Sequence, residues 1–182
     1  MFSECSSVKE LNLSNFNTNN VTKMGEMFNK YSSLVKLNLS NFNTSKLTNM
    51  GQMFSFCSSL KKLDLSNFDT KNVNNMKWMF YGCSSLKELN LSSFNTNKVI
   101  DMDGMFDDYS SLKELNLSNF NTNNVKYFCS MFVRCSSLTE LNISNFTIKK
   151  EVFTTGIFEG CSNELKKKII EQNKICYKFV SY

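Results

Sequence analysis

The chain of 182 residues has no histidine, no proline and no alanine, and a single arginine, Arg134, stands beside twenty lysines. Without histidine the commonest general base is missing. The serines recur in every repeat, as scaffold residues do, so no singular nucleophile stands out and no enzymatic activity is expected. No run approaches the roughly 20 apolar residues needed to span a bilayer, so direct membrane insertion is not expected. No charged-then-apolar segment opens the chain, so no secretory signal is visible. Met1 falls in mid-repeat, which leads us to expect a fragment of a longer protein. The formal net charge of +5 is modest. Lysines mix with glutamates instead of forming the basic stripe of a nucleic-acid binder, so nucleic acid is not an expected partner. Abundant asparagine and lysine in place of alanine, proline and arginine is the mark of AT-rich coding.

What the sequence has is repetition. Met-Phe pairs fall at Met1-Phe2, Met27-Phe28, Met53-Phe54, Met79-Phe80, Met105-Phe106 and Met131-Phe132, with Ile157-Phe158 as a worn seventh. The period is 26 residues without insertion or deletion. A fixed period of that length marks a stack of similar rungs, none able to bury its apolar side alone.

One rung shows how each should fold. In Leu34-Val35-Lys36-Leu37-Asn38-Leu39-Ser40, Leu37 and Leu39 alternate with polar neighbours, the pattern of a half-buried strand. Leu34, Leu37 and Leu39 make the L-x-x-L-x-L core of a leucine-rich repeat. Asn43-Thr44 and its copies form the turn, since Asn and Asp bond their own backbone there. Leu47, Met50 and Met53 then recur at a spacing of three. From this we expect a short second strand near residue 47 and a helical turn over 53–58. Leu34, Leu37, Leu39, Phe42, Leu47, Met50, Phe54 and Cys57 should point inward. The expected fold is therefore an α/β repeat solenoid, a right-handed leucine-rich-repeat-like stack. It has one main parallel β-sheet, a short second strand and a helical turn per repeat. Repeats occupy residues 1–162. A C-terminal cap follows over 163–182, with a helix at 163–173 and an alternating Ile175, Tyr177, Phe179 stretch as a last strand.

The run Cys83-Ser84-Ser85-Leu86-Lys87-Glu88-Leu89-Asn90-Leu91-Ser92, then Phe94-Asn95-Thr96-Asn97, Val99 and Met102 to Met105-Phe106, resembles the BspA-like leucine-rich repeat surface proteins. The resemblance covers residues 1–162. It implies a curved solenoid used for adhesion or protein contact, displayed at the cell surface or secreted. Its partner would be a protein of a host or neighbouring cell, or a glycan. Such proteins usually begin with an export or lipid-anchor signal, which this sequence does not show.

Candidate chemistry dissolves into packing. Cys5, Cys57, Cys83, Cys135 and Cys161 share one repeat position with Tyr31 and Tyr109, which marks a core slot for buried free thiols. Rungs about 4.8 Å apart hold such side chains beyond disulfide reach. No C-x-x-C pair suggests zinc. Nearly all of the ten methionines fall at two inward repeat positions, so packing explains them. Among Asp101, Asp103, Asp107 and Asp108, the segment Asp101-Met102-Asp103-Gly104 resembles only the opening of a calcium loop, without its closing glutamate, and the group is read as a solvated cluster. No metal or cofactor is expected.

Two surfaces remain. On the strand face, Glu10, Lys36, Lys62, Glu88, Glu114 and Glu140 lie beside Asn12, Asn38, Asp64, Asn90, Asn116 and Asn142. This is either a polar binding face or a solvated sheet with an Asn ladder. Elsewhere, Trp78 stands where other repeats have Glu26, Gln52, Gly104, Ser130 and Gly156, with Phe56 and Tyr81 also replacing mostly small or polar residues. Such aromatics suit a binding patch. Two functions follow: a non-catalytic, surface-displayed interaction or adhesion module, or a structural scaffold or spacer array, which could be intracellular. Oligomeric state stays open.

Overall fold

The structure is a computed structural model and describes residues 5–148 and 152–173. Six short strands recur at the repeat spacing: β1 (Glu10–Asn12), β2 (Lys36–Asn38), β3 (Lys62–Leu63), β4 (Glu88–Leu89), β5 (Glu114–Asn116) and β6 (Glu140–Asn142). Pairing is parallel and offset by one repeat, with Glu10 opposite Lys36, Leu11 opposite Leu37 and Asn12 opposite Asn38. Each 26-residue circuit therefore lies directly on the next.

The strands do not join into one sheet. They form three two-stranded sheets, β1–β2, β3–β4 and β5–β6, which corrects the expectation of a single main sheet. The charges explain where it opens. A continuous ladder would set Lys36 against Lys62 and Glu88 against Glu114, and like charges directly opposite on neighbouring strands are destabilising. The β1–β2 and β3–β4 pairs instead set Glu10 against Lys36 and Lys62 against Glu88. Glu114 and Glu140 are also alike and yet in register, but there Lys168 Nζ lies 2.7 Å from Glu140. Past the strands an asparagine amide of the next rung reaches back to backbone carbonyls, at the closed β1–β2 pair, where Asn41 Nδ2 donates to Ser14 O, as well as at the open seams. Asn67 Nδ2 donates to Leu39 O, Ser40 O and Phe42 O, and Asn119 Nδ2 to Leu91 O, Ser92 O and Phe94 O.

The second strand shrinks to one residue per rung. Lys23, Asn49, Asn75, Asp101, Tyr127 and Phe153 form successive parallel bridges. The chain cannot extend further because Asn49, Asn75 and Asp101 each turn it at once, their Oδ1 atoms accepting the N–H two residues on. Nor does a helical turn follow. The Met53 and Cys57 N–H groups bond back to Met50 O and Phe54 O, but Gln52 and Phe56 have φ of 57° and 56°. A left-handed third residue within such a hydrogen-bonded turn is the mark of type II geometry. All twelve positive-φ residues described fall at two register positions. One holds residues 26, 52, 78, 104, 130 and 156; the other holds 30, 56, 82, 108, 134 and 160. Between turns, Phe28 N–H bonds Met53 O and Lys30 N–H bonds Ser55 O, so this segment also links rung to rung.

Polar columns add further links. Thr44 Oγ1 donates to Asp69 O at 3.1 Å and accepts from Asp69 N at 2.7 Å, and Thr18, Thr70, Thr96 and Thr122 repeat the exchange. The adjacent Asn43 caps its own turn through Ser45 N–H, as the sequence predicts.

Inside, Phe28, Phe54, Phe80, Phe106, Phe132 and Phe158 stack with centroids 5.4–5.7 Å apart. Cys57, Cys83, Cys135 and Cys161 lie buried as free thiols, each bonding the carbonyl of a phenylalanine in the preceding rung. Helix α1 (Asn163–Asn173) starts where Ser162 Oγ accepts the Leu165 N–H, an N-cap arrangement. It sinks Leu165 and Ile169 into the same core. The expected last strand lies outside the described residues.

Candidate functional site

The strand face carries Lys36, Asn38, Lys62, Asp64, Glu88, Asn90, Glu114 and Asn116 side by side, all exposed. Alternation along each strand does this: Leu37, Leu63, Leu89 and Leu115 turn inward while their neighbours turn out. The second column has a structural duty as well. Asn38, Asp64, Asn90 and Asn116 each accept the N–H of the serine two residues on, closing the bend that ends the strand. The Ser66 N–H holds the Asp64 carboxyl below the usual carboxylate range. In the first column Lys36 pairs with Glu10 at 2.8 Å. Lys62, Glu88 and Glu114 have no ion pair within 4 Å among the described residues. Beside the β4–β5 seam the face sinks into a groove of about 710 Å³, lined by Asn90, Glu114, Asn116, Glu140, Asn142 and Gln172 among others. A smaller hollow of about 220 Å³ marks the β2–β3 seam beside Asn38, Asp64 and Asn67.

Phe56, Trp78 and Tyr81 come together in the turn segment, a different part of the circuit. Phe56 and Tyr81 ring centroids are 4.5 Å apart, those of Trp78 and Tyr81 6.3 Å, and Lys77 Nζ lies 4.5 Å from the Trp78 ring. Trp78 (φ 54°) and Phe56 (φ 56°) occupy the two left-handed register positions and remain 37% and 38% exposed. That conformation disfavours a bulky side chain. At the same positions one rung on stand Gly104 and Gly82. A Cβ on Gly104 would come within 2.2 Å of the Trp78 indole, and one on Gly82 within 2.8 Å of the Phe56 ring. Each aromatic thus lies over a glycine of the next rung and fills the space a side chain there would need.

A second aromatic pair was not singled out from sequence. Tyr127 and Phe153 stack at 5.7 Å and are 41% and 63% exposed. They stand where Asn49, Asn75 and Asp101 cap their turns, and that break in the column was the available signal.

The acidic group is divided among separate partners. Asp103 Oδ1 accepts from Cys129 N–H and Oδ2 lies 3.7 Å from Lys77, while Asp107 pairs with Arg134 at 2.8 Å. Burial raises the Asp101 and Asp107 carboxyls above the usual range. Among the described residues no three His, Cys, Asp or Glu side chains converge as metal ligands would. Burial also raises the core thiols, Cys57 to about 12 and Cys161 to about 11. The arrangement offers surfaces and turns; its thiols are turned to packing.

Among solved structures the chain resembles a leucine-rich repeat protein from Bacteroides ovatus, with 17% identity and a TM-score of 0.50, over 87% of this chain and 42% of that one. The chain thus spans less than half the length of that protein, and a likeness at this identity concerns the leucine-rich repeat fold. No curated protein matches. No described helix is long and apolar enough to cross a membrane. A family described as "Mycoplasma protein of unknown function, DUF285" matches over residues 1–89 and 62–172, and on that coverage the chain belongs to the DUF285 family.

Proposed function

We propose that this chain is a non-catalytic interaction and adhesion module of the BspA-like kind, a right-handed stack displayed at a cell surface. Its partner would be a protein of a host or neighbouring cell, or a glycan. The observation that carries this reading is the cluster of Phe56, Trp78 and Tyr81. Two of its three rings stand at left-handed positions that the other described rungs fill with glycine or a polar residue, where a bulky side chain is disfavoured. Half-exposed Trp and Tyr side chains are the usual anchors of binding hot spots.

A scaffold or spacer array is the competing reading, supported by the Asn column of the strand face, whose side chains are occupied in capping bends. Protease treatment of intact source cells, with a cytosolic protein as control, separates the two. Cleavage without lysis supports display; protection of both proteins favours the intracellular array. Binding of source-matched cell-surface extracts by wild type but not by Trp78→Gly would support the aromatic site, and equal binding would remove it.

A further inference from the structure

The first column of the strand face runs Glu10, Lys36, Lys62, Glu88, Glu114, Glu140 from β1 to β6. Two of its ends are already matched within the chain, Glu10 by Lys36 at 2.8 Å and Glu140 by Lys168 at 2.7 Å. In the middle, Lys62 and Glu88 stand opposite each other in register, but neither they nor Glu114 make an ion pair within 4 Å among the described residues. The sheet opens at two places where this column would set like charges together. Where a counter-charge does arrive, as Lys168 does at Glu140, the ladder between like-charged strands is closed. The face is built so that an outside charge of the right sign has a place to go.

Read backwards, the middle four positions of the column are their own complement, while the two ends, Glu10 and Glu140, would face each other with each already held by a lysine of its own chain. If a second copy faces the first across a two-fold axis parallel to the strands, level with the β3–β4 pair, the order reverses. Lys62 then meets Glu88 of the other copy, and Lys36 meets Glu114. The symmetry repeats both contacts, as an isologous interface requires. In the neighbouring column Asp64 meets Asn90, a carboxylate against an amide. We infer that the strand face is a homophilic, salt-sensitive contact between two copies of this chain, arranged antiparallel.

The dimensions set its strength. Six strands about 4.8 Å apart span roughly 25 Å, and strands of two or three residues make a narrow strip. That is well under the roughly 800 Å² per partner of a stable complex. A single pair of molecules would part readily, and many copies on one surface would hold through effective concentration. The contact does not depend on the aromatic cluster or on where the chain is displayed.

The test is bead clustering with the whole chain coupled at high density, at about 50 mM salt and again near 500 mM, where screening shortens the reach of these charges. Wild-type beads should cluster at low salt and disperse at high salt. Lys62→Glu beads alone and Glu88→Lys beads alone should stay dispersed. A mixture of the two should cluster across types, since each then offers what the other lost. Circular dichroism and melting of each variant guard against misfolding. Wild-type beads that never cluster would overturn the inference, as would single variants that cluster like wild type. Lys62 and Glu88 are also neighbours within the chain, so the mixture is decisive. Clustering by the double variant but not by the mixture would place the effect inside one molecule and refute a contact between two.

Discussion

The threonine column offers a direct measure of what binds one rung to the next. Thr70 is buried, donates to Asn95 O at 3.0 Å and accepts from Asn95 N at 2.8 Å. Replacing it with valine keeps the shape and removes both bonds. Each such bond is worth about 1 kcal/mol net, and a donor left facing a methyl group adds a desolvation penalty of about 1–3 kcal/mol. Thr70→Val should therefore cost about 3–5 kcal/mol. Thr70→Ser keeps the hydroxyl and removes one methyl, about 0.8 kcal/mol by transfer. Urea titration followed by circular dichroism gives the two losses. Trp78 is the only tryptophan and sits in the rung that Thr70 joins to the next, so its fluorescence follows the same junction. In a stack stabilised by nearest-neighbour contacts, weakening a middle junction should also pull the two signals apart. A serine variant as costly as the valine variant would refute the reasoning, because the column would then act by packing alone.

Other outcomes are equally open to measurement. Trp78→Gly relieves a left-handed backbone but forfeits the contact over Gly104 and with Tyr81. The strain is about 1–2 kcal/mol and the burial lost is similar, so the melting point should move little. Gly104→Ala should be far more disruptive, since its Cβ would land 2.2 Å from the indole. Iodoacetamide at pH 8 should label the exposed Cys5 and the half-exposed Cys129 and spare Cys57, Cys83, Cys135 and Cys161, whose thiols burial pushes up. Peptide mass spectrometry reads the pattern, and labelling of Cys57 in the folded chain would contradict it. Asp101 should make stability fall as pH rises. Its carboxyl is raised in the fold mainly by burial and by Asp103, so the folded state holds the proton more tightly than the unfolded one. The fold is favoured while Asp101 is protonated and loses that advantage as pH climbs through its raised range. Asp101→Asn keeps the turn cap, as Asn49 and Asn75 show. It should match wild type in acid and exceed it at neutral pH, by less than about 1 kcal/mol given solvent screening. Melting curves across pH decide this.

How much was legible depends on the range over which each feature is encoded. The inward positions could be read because burial repeats in register: Leu39, Phe42, Leu47, Met50, Phe54 and Cys57 are all in the core. The helix at Asn163–Asn173 could be read for a similar local reason, with Ser162 before it and Glu164 in its first turn. The turn segment could not. Spacing by three is what both a helical turn and two linked type II turns leave in the sequence, and only backbone sign separates them. The hint lay in column composition: Gly104 and Gly156 share a position with Trp78, and Gly82 and Gly160 share one with Phe56. Two columns each holding two of the chain's six glycines mark left-handed sites, where Trp78 and Phe56 stand out by conformation more than by polarity.

The strand face teaches the converse. Its charges were visible one by one, yet their effect arises only between neighbours. The order Glu, Lys, Lys, Glu, Glu, Glu looks like a mixed, solvated surface when each rung is taken alone. Set rung against rung, it fixes which interfaces ladder and which stand open, and Lys168, from beyond the repeats, decides the one exception. If that account is right, changing one charge should move a seam. Lys62→Glu would set opposite charges across β2–β3 and like charges across β3–β4. Amide exchange should then slow at Leu39, beside the seam that closes, and quicken at Leu63, within the pair that opens. Exchange unchanged at both residues would mean that strand length, and not charge, parts the sheet.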